Sequence, residues 1–153
     1  MDFIDVLKSR RSIRAFSDKE VEQSILDEIL REALESPSSS NTQPYKLAVA
    51  TGGTCKKLGN ALLSNYQKSH KIQKQPLPLK IISAITSNAL PDGDFKPIMG
   101  KYPPIFQERR VATGMGLYEV LGIERQDKKA RDEQMARNFT FFDAPVAIFV
   151  FIH

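Results

Sequence analysis

The sequence predicts one domain of mixed helices and strands, and three patterns carry that reading. Val21, Ile25, Leu26, Ile29, Leu30, Ala33 and Leu34 form one apolar stripe at helical spacing. From Tyr45 to Thr51, Leu47 and Val49 alternate with less apolar residues, as in a half-covered strand. Val146 to Ile152 is apolar at every position, which reads as a central strand covered on both faces. The 153 residues suit a single domain over 1–153.

The remaining elements come in order. Asp2 is placed to cap a first helix to about Ser9, with Phe3, Ile4 and Leu7 on one side. Residues 10–16 leave it in an extended or turning conformation. Ser17 or Asp18 caps the second helix, which runs to about Ser36 and stops at Pro37. A polar loop joins it to the strand at 45–51, and Gly52-Gly53 then turns the chain. Thr54 opens a third helix to about Ser69. Pro76 and Pro78 interrupt the next stretch, and residues 79–86 fit either strand or helix. Gly and Pro dominate Asn88 to Pro104, the pattern of a long binding loop or lid. A fourth helix is expected over 104–121, where Gly114 and Gly116 weaken it or allow close packing. Asp127 caps a fifth helix to about Phe141.

Composition narrows the function classes. The longest apolar run has seven residues, Val146 to Ile152, well short of the roughly 18 of a membrane span. The acidic, apolar start Met1-Asp2-Phe3-Ile4-Asp5 lacks the basic region of a secretory signal. A single cysteine, Cys55, excludes an intramolecular disulfide and fits a reducing cytoplasm. Only the neighbouring Lys56 and Lys57 support it as a nucleophile, and a spectator thiol is the better reading. With only His70 and His153 as imidazoles, no zinc spacing arises. The net charge of +4 is concentrated in residues 51–100, which hold seven lysines against two acids. Lys68, Lys71, Lys74 and Lys80 read as a solvated helix end, with an anionic cosubstrate or a nucleic acid as the functional alternatives. No nucleic-acid motif accompanies them. Gly114-Met115-Gly116 lacks the third glycine of a dinucleotide fingerprint. No nucleophile–base set stands out, so an enzyme built on this chain would rely on a cofactor.

Two blocks do suggest chemistry. Arg10-Arg11-Ser12-Ile13-Arg14 places three guanidinium groups and a hydroxyl within five residues, a donor set that matches phosphate oxygens. Pro37-Ser38-Ser39-Ser40-Asn41-Thr42-Gln43-Pro44-Tyr45 sets six uncharged polar side chains between two prolines, able to hydrogen-bond a neutral heterocycle. Alone, the first also suits a helix C-terminus and the second an ordinary turn. Paired, they point to a phosphorylated aromatic cofactor.

The same blocks resemble the nitroreductase family. Arg10 to Phe16 is similar to its N-terminal phosphate motif, and Pro37 to Tyr45 to its flavin loop, with Tyr45 where many members carry Trp. Arg109-Arg110, Leu117-Tyr118-Glu119, Leu121-Gly122-Ile123, Arg137-Asn138-Phe139 and Phe141 to Val146 resemble the nitrobenzoate-reductase-like branch. The resemblance implies an α+β, nitroreductase-like fold with a central sheet flanked by helices. It implies FMN, with NADPH or NADH as electron donor, ping-pong hydride transfer through flavin N5, and nitroaromatics or quinones as small-molecule acceptors. It also implies a homodimer with flavin at the interface, in contact with neither nucleic acid nor membrane. Arg10 and Ser12 would hold the phosphate or ribityl chain, with Arg11 assisting. Arg14 would approach the N1/O2 edge, while Ser38, Ser39, Asn41 and Gln43 would line the ring.

The resemblance also implies further elements beyond the strand at 146–152: a long helix, another strand and a Gly/Arg segment. The chain therefore reads as the N-terminal portion of the family fold, incomplete at the C-terminus. A flavin-binding remnant without turnover is the alternative on that count.

Overall fold

The computed structural model describes residues 2–86 and 102–152, apart from the side chains of residues 84 and 85. They divide into two compact units: Met1–Leu62 with Phe139–His153, and Leu63–Asn138.

The first unit is organised by two strands. β1 (Tyr45–Thr51) pairs antiparallel with β2 (Val146–Ile152) in a register that sets Tyr45 opposite Ile152 and Thr51 opposite Val146. Strand alternation puts Leu47, Val49, Ile148 and Val150 on one face and Ala48, Ala50, Ala147 and Phe149 on the other. Small residues on that second face let neighbours approach closely. Ala50 is buried, and Phe141 meets Phe149 edge-on at 5.8 Å between ring centres. The double coverage expected for β2 is not found among the described residues. β2 pairs only with β1, and Val150, Phe151 and Ile152 are exposed.

Helix α1 (Phe3–Ser9) starts where expected, but the Asp2 side chain makes no capping bond. α2 (Gln23–Leu34) begins later than Ser17 or Asp18, with Glu22 extended at its N-cap. Its first turn is supported instead by Gln23 Nε2 donating to Asp27 Oδ1 at 2.8 Å, an i,i+4 pair. Leu26 is the buried member of its stripe.

α3 (Gly52–Gln73) starts at the glycine pair and outruns Ser69. Gly52 has φ +50, a left-handed turn from strand into helix that favours glycine. Cys55 is buried, its thiol 3.6 Å from the Ala144 carbonyl. One turn on, Gly59 lies under a tight turn at Phe141–Asp143, where a Cβ would sit 3.3 Å from Thr140 Cα. That turn holds Phe141, Phe142 and Asp143 in left-handed conformations. The helix expected to reach Phe141 ends before it, at Ala136, and residues 137–140 are turn.

In the second unit α4 (Leu77–Thr86) settles the segment that fits either strand or helix in favour of helix. Pro78 falls in its first turn, where the missing N–H costs nothing, and Lys80 N donates to Pro76 O. The long loop expected from Asn88 lies outside the described residues up to position 101. α5 (Pro104–Val120) carries proline at its first position. Added Cβ atoms at Gly114 and Gly116 would meet no described residue, so among the described residues these glycines weaken the helix without allowing a close approach. Gly122, at φ +65, ends it: Gly122 N bonds Glu119 O and Ile123 N bonds Tyr118 O, the paired closure of a Schellman motif.

α6 (Lys128–Ala136) is capped by Asp127, whose carboxylate accepts from Ala130 N at 2.9 Å. Asp132 Oδ2 then accepts Lys74 Nζ at 2.7 Å and lies 3.2 Å from His70 Nε2. Tyr66 stacks on His70 with 5.4 Å between centres. The hydrogen bond from Lys74, and after it the nearby His70 imidazole, hold the Asp132 carboxyl below its ordinary range. The Tyr66 hydroxyl is raised, first by burial and then by the Asp132 charge.

A carboxylate lowered by folding stabilises above its unfolded pKa and loses that contribution as pH falls through its folded one. Amide protection across the α3–α6 contact should therefore drop below about pH 4. Asp132→Asn should show the weaker protection at neutral pH and a flat profile through the acid range. Hydrogen exchange between about pH 3 and 7 reads both.

Candidate functional site

All eight residues expected to hold a cofactor belong to the first unit. They arrive by two routes. Arg10 is the C-cap of α1, and Arg11, Ser12 and Arg14 come next on the extended stretch toward α2, all exposed. Arg11 Nη1 folds back onto Lys8 O at 2.6 Å and Arg10 O at 2.9 Å, capping the helix end. Among the described residues, the side chains of Arg10, Ser12 and Arg14 make no hydrogen bond or ion pair. Three guanidiniums thus divide into one used by the fold and two left with their donors directed to solvent.

The loop between α2 and β1 is tightly built. Ser39–Asn41 forms a short turn in which Asn41 N donates to Ser38 O at 3.0 Å. Thr42 Oγ1 donates to Ser39 O at 3.0 Å, and Gln43 N donates to Ser38 Oγ at 2.8 Å. Ser40, Asn41 and Gln43 have φ between +46 and +53. Asn tolerates that region best of the three, because its short amide compensates locally. Ser38 therefore serves the loop itself, as acceptor for a backbone N–H. Ser39, Asn41 and Gln43 are exposed, and their side chains make no hydrogen bond to another described residue.

Among the described residues no side-chain hydrogen bond joins the arginine segment to this loop. The structure brings both into one unit and leaves both open.

A separate cavity of about 570 Å³ lies in the same unit, lined by Asp18, Leu26, Cys55, Lys56, Asp143 and Pro145 among others. None of the eight residues lines it. With Asp18, Glu20 and Asp143 against Lys56, its charge is wrong for a phosphate. It is not the site that the sequence points to.

The lysine run loses part of its case as a free cationic stripe, since Lys74 is paired with Asp132. No described group of three or more His, Cys, Asp or Glu side chains is arranged to hold a metal ion. No described helix is long and apolar enough to cross a membrane.

A family model described as the nitroreductase family matches residues 7–153. The chain belongs to the nitroreductase family. The 4-nitrobenzoate reductase of Nocardioides sp. (strain LMS-CY) is 28% identical over 149 residues, which cover 97% of this chain and 53% of that protein. The nitrobenzene nitroreductase of Ectopseudomonas oleovorans is 32% identical over 146 residues, 94% of this chain and 56% of that protein. Among solved structures, the FMN-dependent nitroreductase NfnB from Mycobacterium smegmatis, in complex with NADPH, superposes with a TM-score of 0.76 at 27% identity. That match covers 97% of this chain and 58% of that one. The fold is thus nitroreductase-like, and the chain spans about half the length of the curated relatives it matches.

Sequence reasoning missed one group at this nitroreductase loop. The Tyr45 hydroxyl donates back to Leu34 O at 3.0 Å. Its position at the end of the flavin-loop block was visible, but which carbonyl it would reach was not.

The left-handed loop gives a direct check. Asn41→Gly should leave stability nearly unchanged, whereas Asn41→Val should cost about 1–2 kcal/mol, the strain of a branched residue in that region. Chemical denaturation of the two variants measures the difference, and equal stabilities would contradict the loop conformation.

Proposed function

We propose that this chain binds FMN through Arg10, Ser12, Arg14, Ser39, Asn41 and Gln43, with Ser38 shaping the loop that carries the last three, and serves an NAD(P)H-dependent reduction of nitroaromatics or related acceptors. The observation that carries the proposal is the loop at 37–45: a hydrogen-bonded, left-handed turn whose outward groups are all uncharged. It sits in the same unit as two guanidiniums without a partner among the described residues. The donor set fits the group: charged, planar donors for a phosphate, neutral ones for a heterocycle.

FMN, when bound, would supply the hydride chemistry, which protein side chains do not provide. Arg10 and Ser12 would anchor its phosphate or ribityl chain. Arg11 would act mainly by finishing α1, since its guanidinium is engaged by the Lys8 and Arg10 carbonyls. Arg14 would stabilise negative charge at the N1/O2 edge. Ser39, Asn41 and Gln43 would orient the ring and exclude water from one side. Electron donor and acceptor would use the same open face in turn, the basis of a ping-pong cycle. A homodimer with the cofactor at its interface would let this loop face the partner's flavin, and the cytoplasm would supply NADPH or NADH. The relatives named for 4-nitrobenzoate and nitrobenzene support a nitroaromatic acceptor.

Bleaching of bound flavin by NADPH in stopped flow tests the reductive step, and flavin that binds but stays oxidised would contradict it.

The binding claim is tested by titrating the chain with FMN and with riboflavin. Arg10→Ala should weaken FMN by about tenfold, the loss of one charge-assisted pair, and leave riboflavin unchanged because it has no phosphate. Equal losses for both ligands, or no binding of either by the unmodified chain, would contradict the proposal.

A further inference from the structure

The loop at 35–44 is ordered internally, yet those internal bonds do not fix its two ends to each other. Gln43 N to Ser38 Oγ, Thr42 Oγ1 to Ser39 O and Asn41 N to Ser38 O all close small rings inside it. Among the described residues, one side chain joins the ends by hydrogen bonds. Tyr45, the first residue of β1, sends its hydroxyl to Leu34 O at 3.0 Å, with Ser36 O at 3.5 Å as a longer second acceptor. Leu34 is the last residue of α2, so its carbonyl is among the four that a helix end leaves without an internal partner. A single phenol thus caps a helix and pins the strand after it.

The strain in the loop makes that tie matter. Ser40, Asn41 and Gln43 occupy a region that residues other than glycine seldom adopt. Such conformations persist only where the surroundings over-determine them. The internal bonds fix the turn, and the two ends must also be held at one separation for it to keep its direction. Pro37 and Pro44 restrict the chain at either side, but neither provides a bond across the gap.

We propose that Tyr45 is a positioning residue for the cofactor loop: its hydroxyl holds the ends of segment 35–44 together and keeps Asn41 and Gln43 set for a planar heterocycle. This rests on the FMN reading above. In this role Tyr45 acts through the loop, by the bonds of its hydroxyl to the end of α2.

The test is Tyr45→Phe in the full chain, which keeps the ring and removes the donor. Hydrogen exchange of peptides covering 37–44 should accelerate by about tenfold, the effect of losing one hydrogen bond, with exchange in β1 and β2 unchanged. FMN and riboflavin should weaken by the same several-fold factor, since the phosphate side is untouched. Unchanged loop exchange overturns the proposal. So does equal loosening of loop and ladder, which would mark Tyr45 as a general structural residue. A loosened loop in the variant, with neither flavin bound by the unmodified chain, upholds the tether and overturns the FMN reading instead.

Discussion

The pairing of β1 with β2 is the constraint on which the first unit depends. It joins segments about a hundred positions apart and is the most extensive contact between elements among the described residues. Closing so long a loop costs entropy before it returns anything. The return comes from seven paired positions and from the packing they permit on one face. With Ala48, Ala50 and Ala147 there, Phe149 meets Phe141, and the tight turn at 141–143 comes down on Gly59 of α3. The same ladder fixes where Tyr45 begins, and through it where the polar loop is held.

That arrangement explains a division of labour around the candidate site. The loop uses neutral groups twice, once to build itself and once to face outward. Ser38 and Thr42 are consumed by backbone partners, while Ser39, Asn41 and Gln43 are left exposed. The arginine segment divides in the same way, with Arg11 closing α1 and Arg10 and Arg14 left without a partner among the described residues. A site assembled this way contributes orientation and electrostatics. On the proposed reading, the chemistry would come from the bound cofactor.

Much of this was legible in the sequence where local rules are strong. Alternation located β1, seven apolar positions located β2, and Asp127 announced the start of α6. The failures have physical causes. Ser17 and Asp18 look like caps, yet the chain only bends at Asp18 and α2 opens after Glu22, since a polar side chain of capping type does not by itself start a helix. The left-handed turn at Phe141–Asp143 has no glycine to signal it and is held by its contact with Gly59 and Phe149, so the helical pattern of α6 overruns into it. The doubly apolar character of β2 reads as two-sided cover, but its last three residues are exposed. For the site, the residue types were readable from the motifs. The bonds that shape it, from Ser38 to Gln43 and from Tyr45 to Leu34, depend on backbone directions that sequence spacing does not encode.

Interstrand backbone contacts measured by NMR test the central claim most directly. The ladder predicts antiparallel cross-strand contacts in the register Leu47 with Val150 and Val49 with Ile148. A slip of one residue would turn every side chain to the opposite face. Contacts offset by one position, or a parallel pattern, would remove the seat of the turn on Gly59 and the anchoring of Tyr45, and would contradict the dependence of the loop on the ladder.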